Sequence, residues 1–358
     1  MKSRIVILMP SVDKNAFGVD ELLARQDFYC SRLRAIQGKE FQKPIVFISG
    51  IGVQKKSFEN IDVEIISSKR VSWFSFFLSS RKLIRKSNVK VLSYVAGTPF
   101  QPYLIALLLK HFCTKGKIHT AVHGEISGIR NAGLSGFIKF NFLRLAINSA
   151  DTLRFVSHQQ LEDALKLLPI EKTKTFVVPV PVLHTKRFER QHSPSTVAFV
   201  GRLQTERGVN DWVDIAKHFG DENLILIGDG PMMEETKDKL PRAKFLGALN
   251  NEQVQEYWDK IGVLLSTAPF ESYGLALREA LLHGVPVVSR RNAGASELHA
   301  EYPALIELFD SSEEAIGKIR EKQGSNILKD EFDRFRLEFF RKQELSLNNL
   351  ARAWCNEL

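Results

Sequence analysis

The segment 261–289 constrains the fold more than any other part of this 358-residue chain. It begins with an aliphatic run at 261–266 and ends with a second run at 285–289. Between them, 275–283 has helical composition and stops at Gly284-Val-Pro. This order predicts a strand, a loop, a helix and a second, parallel strand. Open α/β sheets bind ligands at the carboxyl end of such a first strand.

Two carboxylates lie in this segment, Glu271 in the loop and Glu279 eight positions later in the helix. This spacing allows both side chains to face one cleft, about two helical turns apart. Such a pair suits a ligand rich in hydroxyl groups. Taken alone, the pattern is more typical of a Glu271 that stabilises the helix amino terminus and a Glu279 that lies on a solvated outer face, because short patterns recur by chance.

The residues around the two carboxylates carry a family resemblance. They run Phe270-Glu-Ser-Tyr-Gly-Leu-Ala-Leu-Arg-Glu-Ala, followed by His283-Gly-Val-Pro-Val-Val. This resembles the signature of the retaining GT-B glycosyltransferases of the "glycosyl transferases group 1" family. The resemblance implies an α/β protein of GT-B architecture, with two Rossmann-like domains whose parallel sheets face an interdomain cleft. It covers 197–300 well and the first half of the chain weakly.

The same resemblance implies roles for individual residues. Glu271 would lie beside the sugar of a nucleotide diphosphate sugar, and Glu279 would hold the ribose hydroxyls. The loop backbone would meet the diphosphate, so the predicted donor-binding residues here are Ser272, Tyr273, Gly274 and Leu275.

Two arginines follow an earlier predicted strand, at 197–201, in the same half of the chain. Arg202 comes directly after 197–201, and Arg207 precedes Gly208 and a predicted helix. Fixed guanidinium groups at the carboxyl edge of a sheet suit a diphosphate, although surface arginines without a ligand are the alternative. In the family, Gly-Arg-Leu is usually followed by Glu-Lys-Gly, so Arg207 stands at the lysine position. Gly228, in Gly-Asp-Gly-Pro, resembles the family's turn beside the nucleotide base.

The first half alternates strands with helices, which predicts a doubly wound parallel sheet. Gly18 follows the first strand, where a phosphate-cradling turn would lie, but the family usually has adjacent glycines there and a simple turn is the alternative. His123, in Val122-His-Gly-Glu, resembles the family's histidine beside the donor sugar. We predict it as catalytic together with Glu271, the alternative being a structural histidine.

Charge is divided unevenly along the chain. Residues 1–180 hold 27 Lys and Arg against 13 Asp and Glu, whereas 181–358 hold 23 against 28. Such asymmetry predicts an anionic partner for the first half. Lys69 to Lys90 combines seven basic residues with Trp73, Phe74, Phe76, Phe77 and Leu78, and it contains no acid. It suits an anionic membrane surface, but packing of its aromatic residues under the sheet is equally consistent, and no nucleic-acid motif accompanies it.

Composition limits the remaining possibilities. Cys30, Cys113 and Cys355 show neither metal spacing nor a disulfide framework, which predicts a reducing compartment. The apolar run at 103–109 is too short to span a bilayer, and the start of the chain lacks a signal-peptide core. We therefore expect a cytoplasmic protein, peripheral at most to the inner face of the membrane. No Asp-x-Asp occurs, so neither a metal nor another cofactor is predicted.

The predicted domains are an acceptor domain at 1–184, a nucleotide-sugar domain at 185–338 and a final helix at 339–358 that returns to the first domain. The predicted function is transfer of a sugar from a nucleotide diphosphate sugar, and we expect this sugar to be a hexose. The predicted acceptor is a carbohydrate that is lipid-linked or part of a surface polysaccharide. A GT-B epimerase or phosphorylase, or an inactive membrane-associated binding protein, would share this architecture.

Overall fold

A computed structural model of the protein shows two compact units, each with its own parallel sheet. The described residues are 3–13, 19–37, 41–51, 53–87, 89–97, 101–122, 133–183, 194–324, 327 and 329–355. Contacts divide the chain into a first unit, Met1–Leu183 with Lys342–Leu358, and a second unit, His184–Arg341.

The first unit is built on a seven-stranded sheet in the order β3-β2-β1-β4-β5-β6-β7, with every pair parallel. The strands are β1 (Ser3–Asp13), β2 (Ile45–Ile51), β3 (Asp62–Ser67), β4 (Lys90–Gly97), β5 (Lys117–Ala121), β6 (Thr152–Phe155) and β7 (Thr175–Val177). The helices are α1 (Val19–Cys30), α2 (Leu33–Gln37), α3 (Trp73–Ser87), α4 (Gln101–Phe112), α5 (Gly133–Ser149) and α6 (His158–Leu167). The predicted doubly wound sheet is confirmed.

Both faces of this sheet are covered. Four successive residues of β1, from Ile5 to Leu8, are each at most 3% exposed, and because successive side chains point to opposite faces, both faces of the strand are covered. Helices α3, α4 and α5 each lead to a strand on the β7 side, whereas α1 leads the other way. Because such crossovers are right-handed, α3, α4 and α5 lie on one face and α1 on the other.

The second unit has a six-stranded sheet in the order β10-β9-β8-β11-β12-β13, again entirely parallel. The strands are β8 (Val197–Val200), β9 (Leu224–Ile227), β10 (Lys244–Phe245), β11 (Val263–Ser266), β12 (Val287–Arg290) and β13 (Ile306–Phe309). The helices are α7 (Val209–Ala216), α8 (Met233–Lys239), α9 (Asn251–Gln255), α10 (Leu275–Leu282), α11 (Ala293–Glu301) and α12 (Ser312–Lys322). The last helix, α13 (Lys329–Trp354), begins in this unit, and its residues from Lys342 belong to the first.

The end of α13 packs into the core of the first unit. Leu347, Leu350 and Trp354 are each at most 4% exposed and join the cluster that includes Leu23 of α1 and Ile5 of β1. Among the described residues, no helix is both long and apolar enough to cross a membrane.

Candidate functional site

Three loops at one edge of the second sheet bring together most of the predicted donor-binding residues. Strands β9, β8 and β11 are neighbours, so their carboxyl ends meet at this edge. Gly228 follows β9, Arg202 follows β8 after one glycine, and the loop 267–274 follows β11. The parallel βαβ arrangement predicted from 261–289 is therefore present, and it places residues from three separate segments side by side.

The loops are held by close backbone contacts that require glycine. Gly208 has a φ of 69°, and a Cβ there would lie 2.3 Å from the carbonyl oxygen of Thr267. The Thr267 hydroxyl in turn donates to the carbonyl of Gly208 at 2.8 Å. In the same way, a Cβ on Gly228 would lie 1.7 Å from the carbonyl oxygen of Gly201. The backbone of the loop 201–208, which carries both arginines, is thereby fixed against the loops on either side of it.

An ion pair joins two of the predicted site residues. The Nη1 of Arg207 donates to the Oε2 of Glu271, and their side chains are 31% and 25% exposed. Both residues line a small cavity of about 40 Å³, together with Thr267 and Gly274. Sequence reasoning assigned Arg207 to phosphate and Glu271 to sugar. The structure puts the two groups in direct contact, a contact that their 64-residue separation gave no means of foreseeing.

Glu279 lies on α10 and is 8% exposed, so the interpretation that it sits on a solvated outer face is wrong. Its backbone carbonyl accepts a hydrogen bond from Nδ1 of His283 at 2.7 Å. The His283 ring stacks on Trp258 with an interplanar angle of 21°, and burial lowers the pKa of His283. Carboxylates are rarely buried unless they make specific interactions. The burial of Glu279 therefore supports a functional role more strongly than its position in the sequence does.

The loop 267–274 is also held by residues that the sequence reasoning missed. The Asn292 side-chain amide donates to the carbonyl of Ala268 at 3.0 Å, and the Gly294 N–H donates to the carbonyl of Glu271 at 2.7 Å. The Arg278 guanidinium lies 3.7 Å from the centre of the Tyr273 ring. The one available sequence signal was Asn292, a helix-capping residue type two positions after the end of β12.

The other predicted residues fall into two groups. Ser272 is buried, Leu275 begins α10, and Arg202 is exposed at the sheet edge. Gly18 and His123 lie outside the described residues, so their predicted roles stay predictions. Within the described ranges, no group of three or more His, Cys, Asp or Glu side chains is placed to hold a metal ion.

The first unit has a larger cavity, of about 620 Å³, at the carboxyl edge of its own sheet. Its lining is mainly apolar and includes Tyr29, Arg154 and Trp354. The Arg154 guanidinium stacks 4.3 Å from the centre of the Tyr29 ring and donates to the carbonyls of Val178 and Pro179 at 2.9 and 3.1 Å. Arg25 lines the same cavity, so two arginines stand in a mainly apolar pocket, which suits a ligand with both apolar and polar parts.

Comparison with known families supports the resemblance of the motif-bearing half. Residues 194–321 match the family model described as "Glycosyl transferases group 1". A GDP-mannose-dependent alpha-mannosyltransferase of Corynebacterium glutamicum is 30% identical over 113 residues, which is 32% of this chain and 27% of that protein. A probable sucrose-phosphate synthase of Thermosipho melanesiensis is 25% identical over 218 residues, which is 53% of this chain and 50% of that protein. The matches therefore span between about a quarter and a half of these relatives.

Solved structures confirm the fold over the whole chain. The apo form of the lipopolysaccharide outer core galactosyltransferase WaaB has a TM-score of 0.68 at 17% identity and covers 99% of this chain and 100% of that one. The Anabaena protein Alr3699/HepE in complex with UDP and glucose has a TM-score of 0.69 at 15% identity and covers 99% of both chains. The fold class is thus that of the GT-B glycosyltransferases, as predicted.

Proposed function

We propose that this protein transfers a hexose from a nucleotide diphosphate sugar to an acceptor hydroxyl, with retention of configuration at the anomeric carbon. The match of 194–321 to the glycosyltransferase family supports the reaction class. The observation that carries the proposal is the convergence of Arg202, the Arg207–Glu271 pair and the buried Glu279 at and beside one sheet edge.

The diphosphate is proposed to bind between the two arginines and the amino end of α10. A diphosphate carries more negative charge than the single carboxylate of Glu271, so it competes for Arg207 when it enters. The backbone N–H groups at the start of α10 add favourable partial charge. Arg202 and Arg207 then stabilise the leaving phosphate without a metal ion. This assignment agrees with the lack of any Asp-x-Asp in the sequence.

Sugar transfer is proposed to occur on the face of the sugar from which the diphosphate departs. The bond between the anomeric carbon and the phosphate oxygen breaks, the acceptor oxygen bonds to the same carbon, and the acceptor proton passes to the departing phosphate. Glu271 lies by the sugar and stabilises positive charge there, and Glu279 holds the ribose hydroxyls. Retaining hydrolases place a pair of carboxylates beside the reacting sugar. Here Glu279 is assigned to the ribose and only Glu271 to the sugar, so we do not assign Glu271 as a covalent nucleophile.

The acceptor is proposed to be lipid-linked or a surface polysaccharide, bound by the first unit. The excess of basic residues in 1–180 and the mainly apolar cavity of that unit support an acceptor with anionic and apolar parts. We place the protein in the cytoplasm, at an anionic membrane surface that it meets through Lys69–Lys90.

Nucleotide binding tests the donor site directly. We expect one of UDP, GDP, ADP or CMP, or its sugar conjugate, to raise the melting temperature selectively, since a ligand at 100 times its Kd stabilises by about 2.7 kcal/mol. Arg202→Ala should abolish the shift. Arg242→Ala is the control, because Arg242 is a 72% exposed arginine of the same unit, paired with Glu222 and outside the proposed site.

A selective shift that survives Arg202→Ala would contradict the assignment of Arg202, and no shift with any nucleotide would contradict the donor site. Incubation of the purified protein with the identified nucleotide sugar and an acceptor should then release free nucleoside diphosphate only as acceptor is glycosylated. Epimerised donor, or a sugar phosphate formed from added phosphate, would replace the transferase assignment.

A further inference from the structure

Helices α3, α4 and α5 present an unusual outer surface in the first unit, which we call the three-helix surface. Thirteen large hydrophobic side chains are exposed among the described residues, and nine of them lie on these helices. The nine are Trp73, Phe74 and Leu78 on α3, Leu107 and Phe112 on α4, and Phe137, Ile138, Phe142 and Leu145 on α5. Monomeric soluble proteins rarely leave so many apolar side chains together in water.

These side chains are not required by the core beneath them. The inner sides of the three helices already pack in one cluster through residues such as Phe76, Tyr103 and Ala146. On α5, Leu143 and Ile147 are buried, whereas Phe137 and Leu145 are 64% and 54% exposed. A helix that is apolar on both its inner and outer sides is expected to meet an apolar environment on each.

An aromatic row continues from α3 to α4. Ring centres are separated by 5.7 Å between Trp73 and Phe74, 6.2 Å between Phe74 and Phe77, and 6.5 Å between Phe77 and Phe112. The Arg85 side chain donates to the carbonyl of Phe112 at 3.3 Å and joins the same two helices. The aromatic side chains of the two helices thus form one connected feature.

The charge of this region is almost entirely of one sign. Between Glu64 and Asp151 the sequence contains thirteen Lys and Arg residues and a single acid, Glu125. None of the three helices contains Asp or Glu. Exposed basic side chains stand among the apolar ones, and they include Lys82 and Lys86 on α3 and Lys139 and Arg144 on α5.

We propose that the three-helix surface docks on an anionic lipid bilayer. Its apolar side chains enter the headgroup region while the lysines and arginines contact lipid phosphates. A second copy of the chain is disfavoured as the occupant, because two identical basic surfaces repel each other. The inference deepens the proposed function and rests on it for the lipid-linked acceptor. It extends the contact from the α3 region to α4 and α5.

Vesicle flotation tests the proposal with the full-length protein. The wild type should float with phosphatidylcholine vesicles containing 30% phosphatidylglycerol, float less at high salt, and stay down with phosphatidylcholine alone. A change of Phe137 and Leu145 to Ser should greatly reduce flotation. The matched control changes Leu337 and Leu345 to Ser, because these leucines are 74% and 55% exposed on α13 and lie off the surface.

A second variant tests the charges. Each Lys or Arg near an anionic surface raises partitioning about fivefold, so Lys82→Glu, Lys86→Glu, Lys139→Glu and Arg144→Glu together should weaken binding more than about 100-fold. A control variant with the same change in net charge carries Lys55→Glu, Lys172→Glu, Lys217→Glu and Arg320→Glu, all at exposed positions off the surface. It should keep most of the binding. Unchanged far-ultraviolet circular dichroism and melting temperature show that each variant is folded.

Several outcomes would overturn the docking proposal. They are no flotation of the wild type, equal losses in surface and control variants, or a concentration-dependent dimer in sedimentation velocity that Phe137→Ser with Leu145→Ser abolishes. The nucleotide-dependent melting shift is measured on the same variants. If the nucleotide-dependent melting shift is retained but the wild type does not float, only the docking proposal is overturned. If the protein floats but no nucleotide shifts its melting temperature, only the proposed donor site is overturned.

Discussion

The ion pair between Arg207 and Glu271 couples the charge of the arginine to the charge of the loop carboxylate. Both side chains are about a quarter to a third exposed, so the pair contributes little to folding stability. Its importance is positional, because it holds Arg207, which we propose binds phosphate, next to Glu271, which we propose faces the sugar. Any ligand that takes Arg207 also changes the environment of Glu271.

Glu271→Gln separates the two roles, because it keeps the side-chain volume and removes the charge. We expect turnover to fall by about 100-fold or more, the size typical of losing one charge-stabilising group from an active site. Nucleotide affinity should stay the same or rise, since Arg207 is then released from its carboxylate partner. Steady-state kinetics and calorimetric titration with the nucleotide measure the two effects.

Glu206→Gln is the control for this change, because Glu206 is an exposed carboxylate adjacent to Arg207 in sequence. It should leave both turnover and affinity close to wild type. Wild-type turnover in Glu271→Gln would rule out Glu271 as a group that acts in the reaction.

The site depends on how the elements of the second unit meet. The loop before α7 is placed against the loop after β11 by the approach of Gly208 to Thr267, and the start of α11 holds the other end of that second loop through Asn292 and Gly294. None of these contacts is local in sequence. The geometry of the proposed donor site therefore follows from packing among three connections rather than from any single motif.

Gly208→Ala tests this dependence. The new Cβ would lie 2.3 Å from the Thr267 carbonyl oxygen at a φ of 69°, so the two loops must move apart. We expect loss of nucleotide-dependent stabilisation and a free energy of unfolding lower by about 1–3 kcal/mol. Thermal melts with and without nucleotide measure both.

Gly317→Ala is the matched control, since Gly317 is within α12 and a Cβ there meets open space. It should raise stability by up to about 1 kcal/mol and leave nucleotide binding intact. Equal nucleotide binding in Gly208→Ala and the wild type would show that the spacing of the two loops is unimportant for the donor site.

At the level of the whole molecule, the last residues of the chain, from Lys342, return to the first unit and pack in it. The Ser93 hydroxyl donates to the Trp354 carbonyl at 2.7 Å, and Nε2 of His119 lies 2.9 Å from the same hydroxyl. His119 is 2% exposed, and this burial lowers its pKa from 6.5 to about 3. Nearby Asp151 opposes the shift, and Lys117 and Lys110 add to it.

This buried histidine makes the stability of the first unit depend on pH. The unfolded chain binds a proton at His119 below pH 6.5 and the folded chain does not until about pH 3. The contribution is therefore fully present above pH 6.5 and falls by about 1.4 kcal/mol per pH unit as the pH drops through that window. Urea unfolding between about pH 4.5 and 7 measures the slope.

His119→Gln should flatten this slope, although it lowers stability at neutral pH because the packing changes. His218→Gln is the control, since His218 is exposed in the second unit and should leave the slope unchanged. An undiminished slope in His119→Gln would mean that other groups, such as carboxylates, account for the acid sensitivity.

Much of the fold could be predicted because its signals are local. Aliphatic runs that alternate with helical segments and end at glycine or proline specify parallel α/β units wherever they occur, and 261–289 forms the predicted unit. The sequence also predicted Arg202 and Arg207 at the carboxyl edge of the second sheet, whereas the strand order that brings them beside the Glu271 loop came from the structure. The roles of Gly18 and His123, and the catalytic assignments, stay predictions.

Side-chain environments required the tertiary structure, because burial and pairing depend on contacts between distant segments. Glu279 could have been solvated or enclosed, and only the packing around α10 made it buried. The composition of Lys69–Lys90 was compatible with packing or with a membrane. In the structure both interpretations apply to different side chains of this segment. Phe76 and Phe77 are buried, whereas Trp73 and Phe74 are exposed. The two exposed side chains lie on the same side of the sheet as the exposed apolar side chains of α5. A sequence states which side chains are available, whereas the sheet order and the crossover hand determine which of them share a surface.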